Sequence, residues 1–171
     1  VLTKVQHVVA EKEASHFIIG YRFSPEEIEE PGIRFEDTMF LLNTLAEYEP
    51  DYFHISANSY QRTSIVNQED TEPLINKYIK MQSAQLAKIP LIGVGSIAQR
   101  QDAEHALELG YDLLSVGKAY LVEPQWTDKI SQNEEVEQFV DIHDQKVLHI
   151  PSPLWKVMDF MILDKEEEHR K

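Results

Sequence analysis

Apolar residues come in short blocks along the chain, and the blocks alternate between a helical period and a strand-like run. Over 2–10 they recur at helical spacing, which predicts an opening helix. The run 17–23 is short, apolar and rich in β-forming residues, and it stops at Ser24-Pro25, where proline cannot continue a ladder. This run is the first predicted strand.

The same alternation continues through three more units. The polar, aperiodic stretch 61–71 predicts a long loop after the second strand. Ser96 begins a Ser-x-x-Gln sequence, typical of a capping box at the start of a helix. The pattern predicts, in order, a helix over 34–47, a strand at 52–55, a helix over 74–81, a strand at 91–95, a helix from Ser96 to about Gly110, a strand at 113–116 and a short helix from Gly117.

Alternating strands and amphipathic helices predict an α/β fold with a parallel sheet built from right-handed βαβ units. A closed (β/α)₈ TIM barrel needs about eight such units in roughly 250 residues, so four units are either half a barrel or an open four-stranded sheet. We expect the half-barrel to occupy 1–130. No further strand is predicted after Gln125, so 131–171 is expected to be a helical or irregular tail, with its charged end 164–171 solvated.

The composition of the chain disfavours or excludes several classes of function. The chain has 171 residues, 42% of them hydrophobic, and its net charge of −14 disfavours nucleic acid and anionic membrane surfaces as partners. No apolar run reaches the ~20 residues of a membrane-spanning helix, so we expect a cytoplasmic protein. The absence of cysteine excludes disulfides, thiolate nucleophiles and cysteine-based metal sites. No histidine pattern predicts a metal site.

The candidate binding residues follow the predicted strands, because ligands of parallel α/β folds lie beyond the carboxyl ends of the strands. Gly95 and Ser96 follow the third strand, and Gly117 and Lys118 follow the fourth. Their exposed backbone N–H groups and the lysine predict a phosphate site. Taken alone, glycines in the 93–96 turn could equally serve tight strand-to-helix packing.

Two charged or titratable side chains fall within apolar strands. Arg22 is expected to be buried and to need a partner, which could be a carboxylate of this chain or an anionic ligand. His54 fits a satisfied core residue better than a catalytic one.

The strand-end sequences resemble the C-terminal half of the Old Yellow Enzyme family of flavin oxidoreductases. The resemblance covers about 1–130 and is most specific in the order of its motifs. The first three motifs are an arginine-ended strand (IGYRFS at 19–24), a Gly-x-Gly-Ser-Ile turn (GVGSI at 93–97) and an Ala- and Glu-rich helix from Ala103. They are followed by an Asp-Leu-x-x-x-Gly-Lys strand end (DLLSVGK at 112–118) and a Pro-x-Trp segment (PQW at 124–126).

The resemblance implies an FMN-containing TIM barrel that passes hydride from NADH or NADPH, through FMN, to an activated alkene or similar acceptor. It assigns Arg22 to the pyrimidine edge of the flavin, and Gly95, Ser96, Gly117 and Lys118 to its phosphate. Lys118 departs from the arginine usual in the family, which would replace a bidentate fork by a point charge. Family residues that anchor the acceptor and donate a proton belong upstream of this region, so no catalytic residue is assigned.

Two other functions remain open at this point. The chain could belong to another phosphate-binding barrel enzyme, such as an aldolase or isomerase, although no strand interior carries the lysine that a Schiff base needs. It could instead be an inactive half-barrel interaction module. We expect either self-association or pairing with the missing N-terminal half, because four units leave sheet edges and apolar faces uncovered.

Overall fold

The computed structural model describes residues 1–138, 145 and 148–156. The four strands are β1 (Gly20–Phe23), β2 (Tyr52–Ile55), β3 (Leu91–Val94) and β4 (Leu113–Ser115). The α-helices are α1 (Leu2–Glu11), α2 (Phe35–Ala46), α3 (Leu74–Met81), α4 (Arg100–Leu109), α5 (Lys118–Val122), α6 (Trp126–Ser131) and α7 (Ser152–Trp155), with a 3₁₀ turn at Leu86–Lys88. The predicted elements are confirmed, although the first strand starts three residues later than its apolar run. The predicted charged end 164–171 lies outside the described residues.

The four strands form one parallel sheet in the order β1-β2-β3-β4. Each strand therefore pairs with the next one along the chain, without the reversal of order found in a doubly wound sheet. Consecutive strands of a (β/α)₈ barrel follow one another in this way. The predicted fold class, four parallel strands with flanking helices as part of a TIM barrel, is confirmed.

The chain divides into two compact units. The first, called here the sheet unit, comprises Val1–Ser96 and His105–Ser115 and holds all four strands. The second, called the tail unit, comprises Ile97–Glu104 and Val116–Lys171 and holds α5, α6 and α7.

The two faces of the sheet differ in burial. Alternate residues point to opposite faces of a strand, and register partners share a face. One face, called the buried face, carries the buried residues Phe23, Phe53, Ile55, Leu91 and Gly93, together with the exposed Tyr21 on the edge strand β1. The other, called the open face, has no buried residue along the three strands β1 to β3 and carries Gly20, Arg22, Tyr52, His54, Ile92 and Val94.

Helices α2 and α3 supply a large part of the core of the sheet unit. Met39 and Leu42 of α2, and Leu74 and Ile75 of α3, are almost fully buried. Both helices start where the sequence predicts, because their apolar residues keep one helical face. The open face, by contrast, has no buried residue along β1 to β3.

The tail unit is held together around the start of α4. The Asp102 carboxylate accepts hydrogen bonds from the N–H groups of Ala98 (3.0 Å) and Gln99 (2.8 Å). Helix α4 begins at Arg100, and the predicted capping box starting at Ser96 is wrong, because the Ser96 hydroxyl donates to the Asn58 carbonyl instead of capping a helix. Asp102, in the first turn, accepts from the N–H groups just before the helix. The Trp126 indole N–H donates to the Ala98 carbonyl at 2.6 Å, which gives the Pro-x-Trp segment a structural role.

The tail packs against α5 within the same unit. Leu148 and Ile150 form a buried cluster with Val122. The Gln145 amide donates to the Ile150 carbonyl (2.8 Å) and to the Ser152 hydroxyl (3.0 Å), so this part of the tail is ordered by specific bonds. None of the helices in the described ranges is both long and apolar enough to cross a bilayer.

Candidate functional site

Arg22 is the third residue of β1 and lies on the open face at the carboxyl end of the sheet. Its side chain is exposed, so the expectation of a buried guanidinium is wrong. The reason is position: β1 is the edge strand, and its open face is uncovered. Within the described residues the side chain of Arg22 makes no ion pair or hydrogen bond, which leaves its positive charge available to an anionic ligand.

His54 is the register partner of Arg22 on the neighbouring strand β2 and shares its face. Its Nε2 atom is shielded from solvent and has no hydrogen-bond partner among the described residues, so the interpretation as a satisfied core residue is not supported. Burial lowers the pKa of His54, and the positive charge of Arg22 lowers it further. A neutral imidazole therefore lies beside a permanent cation.

The turn after β3 is shaped by close contact between two backbones. Gly95 has φ of +99°, and a Cβ there would lie 2.4 Å from the carbonyl carbon of Asn58. Ser96 also has a positive φ, and its hydroxyl donates to the Asn58 carbonyl at 3.0 Å. The N–H groups of Gly95 and Ser96 donate to no acceptor in the described part of the chain. This turn combines a packing requirement for glycine with two free backbone donors.

The loop at 56–73, called here the β2 loop, is fixed by a buried carboxylate. Glu26 is only 7% exposed and accepts hydrogen bonds from the Ser64 hydroxyl (3.0 Å) and the Ile65 N–H (2.9 Å). Sequence reasoning missed Glu26 because it falls in an acidic stretch that suggests a solvated surface. Its only signal is its place directly after the first strand and Pro25.

Two aromatic residues add further anchors to the β2 loop. The Tyr111 hydroxyl donates to the Tyr60 carbonyl at 3.0 Å, and burial raises the pKa of Tyr111 to about 12, so it keeps its proton at neutral pH. His105 Nδ1 lies 3.3 Å from the Tyr60 hydroxyl and 2.9 Å from the Gln61 amide nitrogen. These contacts therefore hold the β2 loop in a fixed position at the carboxyl end of the sheet.

Gly117 and Lys118 belong to the tail unit, where Gly117 directly precedes α5. A Cβ at Gly117 would meet no atom within 4 Å, so packing inside this chain does not require glycine there. Lys118 is exposed and pairs with no carboxylate among the described residues. Arg22, Gly95 and Ser96 share one edge of the sheet unit, whereas a joint phosphate site with Gly117 and Lys118 stays a prediction.

Comparison with known proteins identifies a family that the chain matches. The model of the NADH:flavin oxidoreductase / NADH oxidase family matches residues 1–137. The chain belongs to this family. Because that match covers well over half of the chain, the Old Yellow Enzyme resemblance is confirmed.

The relatives in this family are named as NADH-dependent enzymes. The chain is 59% identical, over 171 residues, to NADH:acrylate oxidoreductase of Vibrio harveyi, covering all of this chain and 17% of that protein. It is 48% identical over 163 residues to NADH:fumarate oxidoreductase of Klebsiella pneumoniae, covering 94% of this chain and 18% of that protein. A probable NADH-dependent flavin oxidoreductase of Bacillus subtilis is 34% identical over 163 residues, covering 92% of this chain and 42% of that protein.

The chain spans less than a fifth of the length of the first two of these relatives. Among solved structures, morphinone reductase aligns with 69% of this chain and 30% of its own, at a TM-score of 0.47 and 14% identity. Within the described residues, no group of three or more histidine or acidic side chains is arranged to hold a metal ion.

Proposed function

We propose that this chain supplies part of the FMN site of an oxidoreductase that takes hydride from NADH or NADPH and passes it, through FMN, to an activated alkene or a similar acceptor. The names of two family relatives, NADH:acrylate and NADH:fumarate oxidoreductase, support this acceptor class. The observation that carries the proposal is Arg22, an unpaired cation on the open face beside a neutral histidine.

The residues at this edge of the sheet suit a planar ligand with an anionic edge. FMN, when bound, supplies a carrier that accepts two electrons and passes them on. Arg22 provides a fixed positive charge, which favours the anionic form of such a ligand by electrostatic attraction. His54 adds no second charge near neutral pH, and its Nε2 atom has no hydrogen-bond partner among the described residues.

Backbone donors fit the phosphate group of the same ligand. The N–H groups of Gly95 and Ser96 donate to no acceptor in the described structure, so they can donate to an anion. We assign Gly117 and Lys118 to the phosphate on the family resemblance. The open space around Gly117 supports that assignment, because a ligand would explain a glycine that local packing does not need.

The deciding experiment compares two substitutions in the full-length protein. Lys118→Ala removes one charge-assisted contact to phosphate, so FMN should bind about 10- to 100-fold more weakly with little change in reduction potential. Arg22→Ala should instead lower the reduction potential of the bound flavin and slow its reduction by NADH, even when FMN saturates the protein. Lys12→Ala, on exposed chain after α1, is the matched control and should change neither quantity.

Two results would contradict the proposal. One is a full-length protein that stays colourless after addition of FMN and removal of the unbound flavin. The other is the reverse pattern, in which Lys118→Ala shifts the potential while Arg22→Ala leaves it unchanged, since this would exchange the two ends of the cofactor.

We also infer that the open face and the sheet edges are covered by further polypeptide, either another part of the full-length protein or a second copy of the chain. Phe17, Ile18 and Leu113 are 58%, 67% and 53% exposed, and they lie on or beside the two edge strands. Exposed apolar edges associate. Light scattering of the 171-residue chain should show dimers or larger species, and a stable monomer would contradict this inference.

A further inference from the structure

Arg62 stands out in the β2 loop as a second cation without a counter-charge. Its side chain is partly buried, and its Nε atom is shielded from solvent with no hydrogen-bond partner in the described structure. Buried polar groups are nearly always hydrogen-bonded, because an unmade bond costs the full desolvation of the group. Something outside the described residues is expected to complete the hydrogen bonding of this guanidinium.

The missing partner is unexpected in so acidic a chain. The net charge is −14, and carboxylates of the chain pair with other cations, including Arg34 with Glu30 and Arg100 with Glu104. Arg62 takes part in no ion pair among the described residues. A half-buried guanidinium kept free of internal carboxylates is a feature of anion-binding sites.

The backbone of Arg62 is held in place at both of its polar groups. Its N–H donates to the Ser59 carbonyl at 3.1 Å, and its carbonyl accepts from the Leu74 N–H at 2.8 Å. The carboxylate of Glu26 fixes the loop two and three residues further on. The side chain thus projects from a rigid segment at the carboxyl end of the sheet, which lowers the entropy lost when a ligand binds.

We propose that Arg62 binds a phosphate group of a nucleotide ligand, either the phosphate of FMN or the pyrophosphate of NADH. The inference rests on the proposed function, which brings both nucleotides to this edge of the sheet. Arginine suits the task because the N–H groups of its planar guanidinium can bind a phosphate with two parallel hydrogen bonds. Neither the strand-end motifs nor the family resemblance assigns this residue.

The test measures two affinities in the full-length protein freed of FMN. Arg62→Gln should weaken the binding of one nucleotide, FMN by flavin fluorescence or NADH by titration of the FMN-loaded protein, about 10- to 100-fold. Arg62→Lys keeps the charge without the fork and should lose less. Lys12→Gln is the control of equal charge and should leave both affinities unchanged. The affected nucleotide identifies which phosphate Arg62 contacts.

A measurement on the unmodified protein guards against a variant that does not fold. FMN or NADH should protect Arg62 from phenylglyoxal, as measured by peptide mass spectrometry, while Arg34, paired with Glu30, should react equally with and without nucleotide. Unchanged affinities for both nucleotides together with no protection would overturn the proposal, as would Arg62→Gln lowering only the melting temperature of the nucleotide-free protein.

The outcome separates this proposal from the proposed function. If the protein binds FMN and NADH but Arg62 affects neither, only the role of Arg62 fails. If the unmodified protein binds neither nucleotide, the proposed function fails. Inorganic pyrophosphate then decides the role of Arg62: calorimetric binding that Arg62→Gln weakens about tenfold or more supports a phosphate site, and unchanged or absent binding overturns it.

Discussion

The buried and open faces of the sheet are formed by the same strands but differ in burial and in polarity. Phe53 and Leu91 on the buried face are almost inaccessible to solvent and form part of the core. His54, one residue after Phe53 on β2, and its register partner Arg22 on β1 lie on the open face without internal partners for Nε2 or for the guanidinium in the described structure. One face is organised for packing, and the other carries unsatisfied polar groups and accessible charge.

From this difference we expect residues of the buried face to contribute mainly to stability and residues of the open face to contribute mainly to ligand binding. Substitutions on the buried face should be measured in the free energy of unfolding, since they remove packing. Substitutions on the open face should leave that quantity almost unchanged and act on ligand binding. Unfolding measurements on the 171-residue chain test this division, and the largest loss of stability is expected for a substitution on the buried face.

Phe53→Ala should destabilise the chain by about 3–5 kcal/mol, because Phe53 is 0% exposed and its removal leaves a cavity in the core. Urea unfolding followed by circular dichroism measures the change. Phe40→Ala is the matched control, since Phe40 is 76% exposed on α2, and it should change stability by less than about 0.5 kcal/mol. Equal losses of stability for the two substitutions would contradict the expected difference between buried and exposed positions.

Gly93→Ala should cost about 1–3 kcal/mol through overpacking on the buried face. A Cβ at Gly93 would lie 2.6 Å from the Tyr111 ring, which is itself buried. Gly117→Ala introduces the same methyl group into open space and should be nearly neutral in the same unfolding assay. A neutral Gly93→Ala would show that Tyr111 moves freely, contrary to the buried hydrogen bond of its hydroxyl.

His54 should make stability depend on pH. Its pKa is lowered in the folded chain, so below the ordinary value of 6.5 the unfolded chain binds a proton that the folded chain resists. Stability should therefore fall as pH decreases below 6.5 and gain nothing from His54 above it. Unfolding at pH 5.5 and 7.5 should show a smaller pH difference for His54→Gln than for the unmodified chain. An unchanged difference would assign the dependence to other groups.

Arg22→Gln should have the smallest effect, within about 0.5 kcal/mol, because Arg22 is exposed and unpaired in the described structure. The same unfolding assay tests this expectation. A loss above about 1 kcal/mol would show that Arg22 contributes to the fold and weaken its assignment to a ligand.

The sequence predicts the elements well because each one has a strong local signal. The strand Tyr52–Ile55 and the helix Leu74–Met81 match their predicted bounds, since alternation and helical periodicity are properties of neighbouring residues. The start of α4 was misplaced because Ser96 resembles an N-cap, whereas its left-handed backbone and its bond to Asn58 depend on a distant loop.

The candidate site was only partly accessible from the sequence. The position of Arg22 at a strand end follows from local pattern, but its exposure depends on β1 being the edge strand, which is a property of the assembled sheet. Glu26 and Arg62 belong to polar stretches without periodicity. The role of Glu26 arises from a contact between segments far apart in sequence, its bond with Ser64, and the missing partner of Arg62 Nε is visible only in the folded loop.

The sequential order of the strands has a consequence for folding kinetics. Because β1 pairs with β2, β2 with β3 and β3 with β4, every pairing joins segments only about 20 to 40 residues apart, which keeps loop-closure entropy low. Each βα unit can dock on its predecessor as soon as it leaves the ribosome. The sheet can therefore grow strand by strand during synthesis, and the exposed edge of the latest strand serves as the template for the next one.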